Sequence, residues 1–143
     1  MNARRISLAI AVLALAGIAV SSVSLQHHFA TSKTSYCDFG ESFNCDIVNR
    51  SIYSSVGGIP VALIGILGYA ALMTLATVYR TKVETPAMLL IASVVGLGFA
   101  VYLTYIEGFV LATWCILCLS SLTLIFAITV LSAVLVRTRL RRE

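Results

Sequence analysis

Charge is what this sequence has least of. Only 11% of its 143 residues are Asp, Glu, Lys or Arg, against 59% hydrophobic, and the mean hydropathy is +0.99. Soluble globular domains carry roughly 25% charged residues, so that class is excluded. Any compact Cys/His spacing of the kind that holds zinc is also missing, and His27 and His28 read as interfacial residues, so no metal centre is expected. The net charge of +4 does not point to a nucleic-acid partner, because the basic residues follow a different logic, that of membrane topology.

Where charge is absent, apolar runs take its place. Residues 6–25, 57–79, 86–106 and 114–136 are each uncharged, and each reaches the roughly 20 residues that cross about 30 Å of hydrocarbon. The reading is an all-α membrane protein, a single integral membrane domain over 1–143 built as a four-transmembrane-helix bundle. Residues 26–56 form a long extracytoplasmic loop between helices 1 and 2. Arg4 and Arg5, Arg80 and Lys82, and Arg137 to Arg142 fall on one side of such a bundle, so both termini and the Arg80 turn are expected in the cytoplasm. The first run also fits a secretory signal peptide, with small residues at Val20-Ser21-Ser22, but its apolar length favours an uncleaved span.

This topology puts all four cysteines on or near the outer, oxidising face, where paired cysteines mean disulfide chemistry. Cys115-Ile116-Leu117-Cys118 heads the last run. With Thr113 as N-cap, Cys115 falls in the first helical turn, where free N–H groups and the macrodipole favour a thiolate. Cys118 lies one turn deeper on the same face. The other pair, Cys37 and Cys45, is eight positions apart in the outer loop. Phe39 and Phe43 are possible anchors of that loop, and Gly40 permits a turn between the sulfurs. Alone, Cys37 and Cys45 read equally as a permanent staple, and the CxxC pair as buried small hydrophobes. Together they read as two dithiols able to exchange through a mixed disulfide.

The remaining landmarks have simpler readings. Ser51, Ser54 and Ser55 are N-caps or turn residues, and Pro60 sits near the first turn of the second span. Gly65 and Gly68, and the series Ala92, Gly96, Ala100 and Thr104, are seams of close helix contact. Thr85-Pro86 caps the third span. Tyr102, Tyr105, Phe109 and Trp114 form an interfacial belt around Cys115, some of which could wall a flat aromatic ligand. Glu107 reads as a solvated turn residue at the outer boundary.

Over about residues 35 to 122 the chain resembles the vitamin K epoxide reductases and their bacterial homologues. The resemblance rests on Cys37 and Cys45, on Ser51 six residues after Cys45, on Gly58-Ile59-Pro60 and on Cys115 and Cys118. Val101-Tyr102-Leu103 and Phe109-Val110-Leu111 add to it. It implies a thiol:quinone oxidoreductase that moves two electrons from a periplasmic thioredoxin-like partner, acting in trans, to a membrane quinone of ubiquinone or menaquinone type. Cys37 then takes the partner's thiol, Cys45 passes electrons to Cys115, Cys118 contacts the quinone, and Ser51 assists near the centre.

The resemblance further implies a multi-pass protein of the bacterial inner membrane, with its site on the extracytoplasmic face. Quinone-binding candidates are Trp114, Leu111, Tyr102, Leu122 and Val61. Leu122 and Val61 stand where the animal enzymes have Tyr and Asn donors to the ligand, so a plain quinone fits better than vitamin K epoxide. The rival readings are a four-span structural protein with a stiffening loop disulfide, a reductase of a vitamin K epoxide-like substrate, and a soft-metal site or transporter using Cys115 and Cys118.

Overall fold

The computed structural model describes residues 2–30 and 42–142. Four helices pack together: α1 (Ala3–Phe29), α3 (Val61–Thr77), α4 (Thr85–Tyr105) and α5 (Ile116–Leu140), with a short α2 (Cys45–Asn49) between the first two. Helix α1 lies against α3 and α5, and α4 against α5, while α3 and α4 touch much less. The core they enclose includes Ile6, Ile10 and Ala14 of α1, Leu72 of α3, Leu89 of α4, and Ile128 and Leu135 of α5. The outward faces are as apolar as the core: Val12, Leu67, Ile91 and Phe126 are all exposed. Helices hydrophobic all round belong in lipid, and these form an all-α membrane protein.

Helix lengths refine the expected spans. Three are long and apolar enough to cross a membrane: Ala3–Phe29, Thr85–Val110 and Ile116–Leu140. The fourth, Val61–Thr77, has 17 residues and so spans about 26 Å at 1.5 Å per residue. It starts four residues later than the apolar run because Gly57 and Gly58 both take positive φ, 59° and 84°. That conformation makes the two-residue turn of a hairpin, in which β1 (Ser55–Val56) pairs antiparallel with β2 (Ile59–Pro60). Pro60 is therefore the extended N-cap of α3, not a residue of its first turn. Thr85 likewise opens α4 as a buried helical residue, with Glu84 at the N-cap.

The helix seams divide between contact and void. A Cβ on Gly65 would meet Ser21 Oγ at 2.8 Å, and one on Gly17 would run into the ring of Tyr69. Gly68, expected to be a contact glycine too, has nothing within 4 Å of a built Cβ. It faces a cavity of about 390 Å³ that opens where α3 and α4 are least closely packed.

The two ends of the bundle differ in chemistry. At one, Arg139 donates to the carbonyl oxygen of Arg80 at 3.1 Å, which joins the end of α5 to the α3–α4 turn. At the other, the end of α1 is tied to α2. His27, 1% exposed, pairs through Nδ1 with Asp46 Oδ1 at 3.1 Å, and His28 Nδ1 donates to the carbonyl oxygen of Asn49 at 2.6 Å. The two histidines are thus structural ties between helices. All described cysteines lie at this second end.

Candidate active site

Helix α4 does not stop cleanly. It continues through a π turn, Ile106–Val110, in which the Leu111 N–H reaches the carbonyl oxygen of Ile106 at 2.9 Å. Such turns gather at functional sites. Ala112 then takes a left-handed φ of 49° and reverses the chain into Thr113 and Trp114. The helix that follows starts later than the sequence suggests. Cys115, with extended φ and ψ of −113° and 117°, is itself the N-cap of α5, and the Thr113 hydroxyl instead donates back to Leu111 O at 3.2 Å. Cys115 therefore sits at the mouth of α5, facing its free N–H groups, and Cys118 is one turn in.

The outer loop reaches this turn through its backbone. Trp114 N–H donates to Ser42 O at 2.8 Å, and Asn44 N–H donates to Trp114 O at 3.1 Å, a parallel bridge between Phe43 and Trp114. Asn44 also caps α2, its side-chain oxygen accepting from the N–H groups of Asp46 at 3.0 Å and Ile47 at 3.2 Å. The first residue of that helix is Cys45. Bridge and cap together bring Cys45 and Cys115 into one buried cluster with Val48, against which Leu111, Leu117 and Cys118 pack. Cys45 is in a disulfide, whereas Cys115 and Cys118 are free thiols. Cys37, Phe39 and Gly40 lie outside the described residues.

Polar groups surround the sulfurs on several sides. Asn49, on α2, donates to the Cys45 carbonyl oxygen at 2.9 Å and approaches Cys115 Sγ to 3.8 Å, while its side-chain oxygen accepts from the Ser24 hydroxyl at 2.6 Å. Ser51 donates through its hydroxyl to Val48 O at 2.8 Å and lies on the cavity wall. Glu107 is the largest departure from expectation. It is not a solvated turn residue: it is 2% exposed, its Oε2 accepts from the Cys115 N–H at 3.1 Å, and its backbone oxygen accepts from Thr113 N–H at 3.0 Å. The π turn is what rotates this carboxyl under the head of α5. An acidic residue within an otherwise uncharged apolar region was the available signal.

The cavity runs from this cluster into the bundle. Cys118, Glu107, Leu111 and Val61 lie on its wall, as do Tyr69 and Ser121 further along. Tyr69 donates to Ser121 O at 2.9 Å, which joins α3 to α5. Trp114, Tyr102 and Leu122 do not line it. Trp114 packs instead on Gly108, where a Cβ would come within 2.9 Å of its ring, and Tyr102 is 57% exposed on the outer surface. Tyr105 and Phe109, also expected near the ligand, stack on each other at 4.9 Å, both exposed. Among the described residues, no three His, Cys, Asp or Glu side chains converge as metal ligands would.

The cavity fits a quinone by volume and by apolar character. One buried oxygen on its wall, Glu107 Oε1, has no hydrogen-bond partner among the described residues. The sequence profile of the vitamin K epoxide reductase family matches residues 8–133, most of the chain. No curated protein gives a significant match.

Proposed function

The chain belongs to the vitamin K epoxide reductase family, an oxidoreductase family, and from that premise we propose that it is a thiol:quinone oxidoreductase supporting disulfide formation in exported proteins. In this reading all four long helices cross a bacterial inner membrane, with both termini cytoplasmic and the cysteines at the extracytoplasmic face. The carrying observation is that Cys45 and Cys115 share one buried cluster while Cys118, a turn deeper, lines an apolar cavity.

The steps follow from thiol–disulfide exchange. A thiolate of a thioredoxin-like partner, acting in trans, attacks Cys37 of a Cys37–Cys45 disulfide, and the partner's second thiol closes its own disulfide, leaving Cys37 and Cys45 reduced. Cys45 then attacks Cys115 of a Cys115–Cys118 disulfide and releases Cys118. Cys37 displaces Cys115, so the loop disulfide is restored and Cys115 and Cys118 carry the electron pair. The state with Cys45 bonded and Cys115 and Cys118 free is the one that precedes transfer to the quinone.

Cys118, Leu111 and Val61 would hold a ubiquinone or menaquinone in the cavity, where it would supply a two-electron, two-proton acceptor. Cys115 and Cys118 give up two electrons and two protons and close their disulfide. Ser51, through Val48, holds α2 where Cys45 can reach Cys115.

The test is quinone reduction by the purified protein in lipid nanodiscs, with a reduced thioredoxin-like dithiol protein as donor and ubiquinone-1 or menadione as acceptor. Turnover is expected in the wild type and is lost in Cys118→Ala. A Cys118→Ala protein of full activity overturns the proposal, and so does a wild type in which Cys115 and Cys118 stay reduced however much quinone is supplied.

A further inference from the structure

Glu107 has a second oxygen that its bond to the Cys115 N–H does not use. Oε2 is engaged by the Cys115 N–H, but Oε1 is buried without a hydrogen-bond partner among the described residues, on the wall of the cavity that Cys118 also lines. An ionisable side chain at this depth, amid apolar helices, is costly to keep unless it has work to do. The bond to the Cys115 N–H alone does not require it, since an amide oxygen would accept the same N–H. What distinguishes a carboxyl from an amide is that it takes and gives a proton.

We propose that Glu107 is the proton carrier between the Cys118 thiol and the quinone. This inference rests on the quinone reading above. Oε1 accepts the proton of the Cys118 thiol as its electrons are given up, and returns it to one quinone oxygen. The second proton, that of Cys115, leaves to the extracytoplasmic water, which supplies one to the other quinol oxygen. Two electrons and two protons thus leave the dithiol, the S–S bond forms, the quinol carries two of each, and Glu107 ends as it began. The titratable groups facing Glu107 are Cys115 and Cys118 at the head of α5, and His28, Tyr53 and Tyr69 share its cavity.

Glu107→Gln separates the two roles, because its amide oxygen still accepts the Cys115 N–H. Two reactions are measured in nanodiscs: oxidation of the Cys115–Cys118 dithiol by ubiquinone-1, and the first release of thiopyridone from a soluble disulfide, dithiodipyridine, on attack by Cys115, a step in which Cys118 gives up no proton and none is delivered in the cavity. The expected result is a fall of tenfold or more in kcat with ubiquinone-1, KM unchanged and the wild-type pH profile flattened, with the dithiodipyridine rate within about threefold of wild type. Equal losses in both reactions assign Glu107 to structure alone and overturn the inference. So does a wild-type quinone rate and pH profile in Glu107→Gln. If the wild type itself fails with ubiquinone-1 while reacting with dithiodipyridine, it is the quinone reading that falls.

Discussion

Asn49 holds Cys45 and Cys115 in one frame: its side-chain amide donates to the Cys45 carbonyl oxygen at 2.9 Å and approaches Cys115 Sγ to 3.8 Å, across 66 positions of chain. Its other atom, Oδ1, accepts from Ser24 of α1 at 2.6 Å, in a buried setting. Asn49→Ala leaves the Ser24 hydroxyl and the Cys45 carbonyl without these partners, and each buried polar group so stranded costs about 1–3 kcal/mol. The variant is expected to melt lower in detergent and to form the trapped Cys45–Cys115 disulfide more slowly in a Cys37→Ala, Cys118→Ala background. An unchanged trapping rate would show that α2 is positioned without it.

Asn44 controls the same helix from its start. Removing the cap with Asn44→Ala costs about 1 kcal/mol but keeps the backbone bridge to Trp114. The expected outcome is faster hydrogen exchange confined to residues 45–49, with little change in global melting. Exchange that rises across the whole bundle would mean that α2 is part of the core and not a docked arm.

Ala112 is the described non-glycine residue with positive φ, 49°. For an L-residue with a Cβ that conformation costs roughly 1–2 kcal/mol, more than the added chain entropy of glycine. Ala112→Gly should therefore stabilise the protein by about 0.5 kcal/mol, and Ala112→Val should destabilise it clearly, as read by thermal melts. A lower melting point for the glycine variant would contradict the turn.

The cavity has a direct probe in Gly68, which faces open space. Gly68→Leu fills part of it without a backbone clash, so melting is maintained. The KM for ubiquinone-1 should rise about tenfold or more, within the range that pocket-filling groups produce. Gly17→Ala is the opposite case, since its Cβ meets the Tyr69 ring, and overpacking there costs about 1–3 kcal/mol.

Much of this was legible in the residues, and the exceptions share a cause. The apolar runs located the four packed helices, three of them long enough to cross a membrane, because an uncharged run of such length has little alternative to a helix. The cysteine spacings singled out Cys45, Cys115 and Cys118, which the fold gathers into one cluster. Helix starts were misread wherever backbone conformation overrode hydropathy: Gly57 and Gly58 are apolar enough to count as membrane, yet their positive φ makes a hairpin, and Cys115 was placed inside a turn that it caps. Glu107 was misread because a helical count through Tyr105 places it at the rim, and only the π turn carries it under Cys115. Trp114 and Tyr102 looked like ligand walls by proximity in sequence, but the first packs on Gly108 and the second faces outward.

The paired backbone bonds between Phe43 and Trp114 have a kinetic meaning. They hold Cys45 beside Cys115 within one buried cluster, and effective concentrations in well-oriented intramolecular reactions reach roughly 10⁵ M or more. A freely diffusing thiol at millimolar strength competes poorly against such a neighbour. In the proposed relay, the bridge thus insulates the internal transfer from the redox buffer outside, and leakage of electrons to small molecules is slowed by architecture before any difference in potential comes into play.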